Sequence, residues 1–152
     1  MKIFKFLLAT VLLGVLFTYS GCGKKNGPTL SLADQQLAKL SLAKGWKLTT
    51  VTLDNAAQTG YTNFTLTISG TAGQTTFGYA TSGRPSLSPW AASGTFTFGT
   101  DVSTQVVRDD SLPITYSVST TQLQITFTYN GAGIAGRTNN VKGVWVFTFA
   151  PA

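Results

Sequence analysis

From Trp46 to the C-terminus, apolar and polar residues alternate with a period of two. Phe64, Leu66 and Ile68 alternate with Thr65, Thr67 and Ser69, and Phe96 and Phe98 with Thr95 and Thr97. Ile114, Tyr116 and Val118 alternate with Thr115 and Ser117, and Leu123, Ile125, Phe127 and Tyr129 with Gln124, Thr126 and Thr128. Trp145, Phe147 and Phe149 close the chain in the same rhythm. Successive strand side chains point to opposite faces, so these β-branched and aromatic runs predict strands with one face buried and one wet. Eight strands are expected, over 46–53, 61–69, 74–81, 94–99, 104–109, 113–119, 122–129 and 141–149. In the first, Trp46 and Leu48 fall on one face and Val51 and Leu53 on the other, which a bulge near Thr49-Thr50 reconciles.

Ahead of the strands the spacing is helical. Ser31 and Asp34 have the separation of a capping box, with Asp in place of Glu. Leu32, Leu37, Leu40 and Ala43 then recur near helical period, and Gly45 suits the position just past the end. One short helix is therefore expected over 31–44, packed across one end of the strands; a partner-binding or membrane-surface helix is the alternative. Short connections such as Gly70-Thr71-Ala72-Gly73 and Thr100-Asp101-Val102-Ser103 make neighbouring strands pair antiparallel. The expected fold is all-β, a meander of about eight antiparallel strands closed into a barrel or split into a two-sheet sandwich.

The first residues follow a different pattern. Lys2 and Lys5 precede an apolar run from Phe6 to Phe17, and small polar residues lead to Cys22. Twelve residues span about 18 Å as a helix, against a hydrocarbon core of about 30 Å. The run is too short for a transmembrane anchor and reads as a secretory signal over 1–21. Gly23-Lys24-Lys25-Asn26-Gly27-Pro28 has the composition of a flexible tether, placed at 22–30, and 31–152 then form a single domain.

Composition narrows the chemistry. The chain has no histidine and no glutamate, and Cys22 is its one cysteine, so neither a Ser-His-Asp nor a Cys-His arrangement can be built. Zinc and other transition metals lose their usual imidazole and thiolate ligands. Asp109 and Asp110 are adjacent, and neighbours on a strand point apart, so they are expected as charges at a strand end. No enzyme, metal or cofactor is expected. The 131 residues from Cys22 onward carry nine basic side chains against five Asp, scattered rather than striped, which argues against nucleic acid.

Two resemblances add to this reading. Tyr19-Ser20-Gly21-Cys22 resembles a lipobox, in which the cysteine is acylated and becomes the first residue. The resemblance implies a lipoprotein, and with no Asp after the cysteine it implies the outer membrane, facing the periplasm. Lys24 and Lys25 would then lie near the headgroups, each adding about 1 kcal/mol towards an anionic surface. Lys44-Gly45-Trp46-Lys47-Leu48, GTFTFGTDVSTQVVRDD over 94–110, TQLQITFTYN, Gly136-Arg137 and VKGVWVFTF resemble the small lipocalin-like lipoproteins of Gram-negative bacteria. That implies a barrel able to hold one small apolar or amphipathic ligand, with Trp46 closed over by Arg108 or Arg137.

Two connections stand out as candidate sites. SGRPSLSPWAAS over 82–93 holds Arg84 and Trp90, and NGAGIAGRTNN over 130–140 holds Ile134 and Arg137. Long loops on a rigid scaffold commonly carry binding residues. Trp90 could offer a stacking plane or fold back as a plug. Phe77, Tyr79, Phe96, Phe98, Tyr116, Phe127, Trp145 and Phe147 are expected to point inward, where they either line a cavity or fill it. Trp90, Tyr79, Tyr116, Arg84, Ile134 and Arg137 are thus the candidate ligand-binding residues. The alternative function is a structural or accessory lipoprotein with a filled core, docking on an envelope protein.

Overall fold

The computed structural model describes residues 29–131 and 141–152. The signal, Cys22 and most of the tether lie outside them, as do Ile134 and Arg137. Among the described residues a helix, α1 (Leu32–Leu40), precedes nine strands: β1 (Trp46–Leu53), β2 (Ala56–Ala57), β3 (Thr65–Ser69), β4 (Phe77–Ser82), β5 (Ser93–Phe98), β6 (Gln105–Arg108), β7 (Pro113–Val118), β8 (Leu123–Tyr129) and β9 (Gly143–Pro151). Every pairing is antiparallel, and β9 returns to pair with β1 from Trp46↔Pro151 to Leu53↔Trp145. Eight strands thus close into a barrel, and the sandwich alternative is excluded.

The additional strand comes from how β1 divides its partners. Its first two residues pair with β3, Trp46 with Leu66 and Lys47 with Thr65. Further along, Thr52 and Leu53 pair instead with β2. The two-residue turn between them, Asp54 and Asn55, has positive φ at both positions, a combination these two residue types tolerate and one that matches the twist of a tight hairpin. The expected bulge is present: Leu48 opposes Phe149 and Thr50 opposes Thr148, leaving Thr49 as the extra residue, its hydroxyl bonded to the Thr148 carbonyl at 2.9 Å. It brings Val51 back to the face of Trp46, and both are buried.

The core is one aromatic-rich cluster inside the barrel. Of the eight rings expected inside, seven are buried and Phe98 is partly buried against them. Trp145, Phe147 and Phe149, alternate residues of β9, stack in a row with ring centroids 5.6 and 6.2 Å apart and interplanar angles of 17°. Phe127 on β8 lies parallel to Phe147 at 5.8 Å. Burying a side chain of this size contributes about 1.5–3 kcal/mol, and offset ring pairs add about 0.5–1.5 kcal/mol.

The helix is shorter than expected. Ser31 caps it, accepting from the Asp34 amide and donating to the Asp34 carboxylate, as the capping spacing predicted. It stops at Leu40, and Gly45 (φ +76°) turns the chain into β1, where a Cβ would meet the Leu66 carbonyl oxygen at 2.9 Å. Leu37 and Leu40 are buried, but Leu32, expected on the same apolar face, is 50% exposed.

Candidate functional site

The meander gives the barrel two unlike ends. At one, the helix end, lie α1, the turns after β3, β5 and β7, and the C-terminus; at the other, the loop end, lie segments 54–64, 83–92 and 109–112.

The helix end is closed by α1. Leu40 reaches the interior, and its carbonyl accepts a hydrogen bond from Trp46 Nε1 at 2.7 Å. Asp34 Oδ1 accepts from the Gly73 amide at 2.7 Å, fastening the helix to the β3–β4 turn. Its other hydrogen bond, from Ser31, is the larger cause holding the Asp34 carboxyl below its ordinary range. Trp46 is completely buried, so its indole serves to pack and cap this end of the core.

The loop end is closed by Trp90. Pro89 and Trp90 turn inward, and Trp90 is 4% exposed, edge-on to Tyr79, Phe127 and Phe147 at 5.4, 5.7 and 6.0 Å. Tyr61 and Phe64, from the segment before β3, fill the space beside it against Phe147. The Arg108 guanidinium, 5.4 Å from the Trp90 ring, covers the plug and donates to the Pro89 carbonyl at 3.0 Å. Asp110 holds the same guanidinium by two hydrogen bonds, from Nε at 2.9 Å and from Nη2 at 2.6 Å. Burial disfavours the charged form of Arg108, yet Asp110, with smaller help from Tyr79 and Asp109, more than offsets it, and the Arg108 pKa stands above its ordinary value. Those bonds hold the Asp110 carboxyl below the usual carboxylate range. Arg108, one of the two arginines expected over Trp46, stacks on Trp90 instead, because it sits at the far end of β6; the other, Arg137, lies outside the described residues.

Between the two closures lies an apolar cavity of about 30 Å³, bordered by Leu66, Tyr79, Trp90, Phe96, Ile114 and Leu123 among others. One water needs about 10–15 Å³ of such volume, whereas sites for drug-sized ligands run to about 300–1,000 Å³. The rings fill the barrel. Two buried polar atoms near the cavity, the Tyr79 hydroxyl and Trp90 Nε1, have no hydrogen-bond partner among the described residues. Tyr79 lies across Gly94, where a Cβ would come within 2.6 Å of its hydroxyl oxygen. Desolvation raises the Tyr79 pKa, as it does that of Tyr61. Tyr116 is pushed up to about 12 by burial and by the nearby Asp101, and its hydroxyl donates to the Val102 carbonyl.

Of the candidate residues, the fold brings Tyr79, Trp90 and Tyr116 together around this interior. Arg84 is half-buried on segment 83–92. Ile134 and Arg137 lie outside the described residues. The Arg108–Asp110 pair is a unit that spacing along the chain does not announce. Its signal was the inward phase that Arg108 shares with Val106, because a cation on an inward position needs a counter-charge. No group of three metal-ligating side chains occurs among the described residues. No protein-family model matches the chain, and no curated protein or solved structure matches it significantly.

Proposed function

We propose that this protein is a lipid-anchored, lipocalin-like envelope module that acts by docking, with its interior serving as a rigid filled scaffold. The observation that carries this reading is the interior volume. About 30 Å³ accommodates a few waters at most, and both barrel ends are occupied by the protein's own side chains. Acylation at Cys22 would hold the module on the outer membrane, and the loop end would meet an envelope partner.

A second reading keeps the barrel as a carrier of a small amphipathic molecule. Its support is the pair of buried polar groups on Tyr79 and Trp90, which otherwise cost about 1–3 kcal/mol each. A guest with an acceptor group, admitted as Trp90 withdraws, would satisfy them.

Native mass spectrometry of the whole protein, purified gently from its own host, separates the two readings. The docking reading expects the mass of the acylated chain alone. A reproducible adduct lost on denaturation would establish the carrier. Separately, Cys22→Ala should move the protein from the membrane to the soluble fraction, and unchanged membrane association would refute the anchor.

A further inference from the structure

Among the described residues, the exposed large hydrophobic side chains are Leu30, Leu32 and Val144. Leu30 and Leu32, 54% and 50% exposed, stand together at the start of α1. Neither is there by loose fraying. Gln35 Nε2 donates to the Leu30 carbonyl at 2.8 Å and ties that residue against the helix. Leu32, Gln35 and Lys39 follow at i, i+3 and i+7, so they form one stripe along the helix, away from the buried Gln36, Leu37 and Leu40. Lys44 and Lys47 are exposed at the same end of the barrel, which gives it three free-standing cations in the described residues. The two aspartates at this end are engaged in hydrogen bonds, Asp34 with Ser31 and Gly73 and Asp101 with Ser103 and Thr104.

Two leucines flanked by lysines are what an anionic bilayer surface attracts. Apolar side chains enter the headgroup boundary, while the lysines meet lipid phosphates. The length of chain outside the structure points the same way. Seven residues separate Cys22 from Leu30, eight steps with a contour of at most about 29 Å, and they include Lys24 and Lys25. We infer that the helix end of the barrel is a membrane-docking face, with Leu30 and Leu32 seated among anionic lipid headgroups and Lys39, Lys44 and Lys47 around them. This rests on the lipid-anchor reading of Cys22 and goes beyond it. A tether alone leaves the domain free to tumble, whereas this face fixes it with Trp90 and the loop end pointing away from the bilayer.

The test is lysine footprinting of the whole protein bound to vesicles, by acetylation and mass spectrometry. Vesicles of phosphatidylcholine are compared with vesicles containing phosphatidylglycerol. Lys142, exposed towards the loop end, is the internal reference. The expected result is an approximately fivefold slower acetylation of Lys39, Lys44 and Lys47 on the anionic vesicles, with Lys142 unchanged, since about 1 kcal/mol per lysine corresponds to that ratio. Leu30→Ser combined with Leu32→Ser changes two exposed side chains, keeps the fold by circular dichroism, and should return the three rates to their values on neutral vesicles. Equal rates on both vesicles, or slowing at Lys142 as well, would overturn the docking face, and so would a partner protein that protects these lysines only when added. The acyl groups are read in the same spectra. An acylated chain without lysine protection refutes the docking face and leaves the anchor standing. An unacylated chain refutes the anchor, and the lysine rates still decide the face.

Discussion

Trp90 shows how one residue type supports opposite roles until its neighbours are known. On a Pro- and Ser-rich segment it looks like a binding aromatic, yet it lies among Tyr79, Phe127 and Phe147 beneath a buried guanidinium. Trp90→Ala should therefore lower unfolding stability by about 3–5 kcal/mol in urea titrations, the cost of emptying a packed aromatic site. A loss below 1 kcal/mol would place Trp90 outside the core. Asp110→Asn tests the cover over it. The Arg108 hydrogen bonds lower the folded-state pKa of Asp110 below its ordinary 3.8, so the pair stabilises the fold above that pH. The contribution is lost as pH falls through the folded-state value. At pH 7 the variant should be about 1 kcal/mol less stable, because water screens the half-exposed Asp110 carboxylate, and the gap should narrow below about pH 4. A gap constant with pH would show that the ion pair contributes nothing.

At the scale of elements, the strands were readable because burial of one face enforces a period of two along each of them. β1 matched its expected bounds, and the other seven expected strands were found with shifted ends. The phase slip in β1 became the bulge at Thr49, and this gives an unusual expectation. Deleting Thr49 leaves Trp46, Leu48, Val51 and Leu53 in strict alternation and in register with β9. That variant should fold, at the cost of the Thr49–Thr148 hydrogen bond, about 1 kcal/mol. Deleting Thr52 instead turns Leu53 outward and should unfold the protein at ambient temperature. Circular dichroism melts of the two deletions check both, and equal melting temperatures would refute the bulge register. The two-residue β2 was not readable, because Ala56 and Ala57 are exposed on both sides and leave no alternation. The helix was foreseen by its cap but overrun at its far end, where Gly45 and the buried Trp46 pull the chain into the barrel.

For the whole molecule, the filled interior predicts how stability responds to alkali. Tyr61, Tyr79 and Tyr116 all hold their protons more tightly folded than unfolded, chiefly because of desolvation, with Tyr116 pushed up to about 12. An acid group with a raised folded-state pKa stabilises the fold while protonated, and that contribution fades as pH rises from the unfolded value of 10.0 towards 12. Chemical denaturation followed from pH 9 to 12 should show stability falling across that window. A flat profile would mean that these hydroxyls reach water.

By itself, the sequence determined the class of fold, the inward rings, the helix cap, the bulge and the expectation of acylation at Cys22. Each of these depends on local spacing or on an alternation that a single buried face imposes. Only the tertiary structure decided that the sheet closes, that Arg108 covers Trp90, and that the interior is full. Closure depends on β9 meeting β1 across nearly the whole chain, and alternation is the same in a barrel and a sandwich. Whether inward rings line a cavity or fill it depends on how their volumes meet in space, and Trp90 and α1 arrive there from outside the strands.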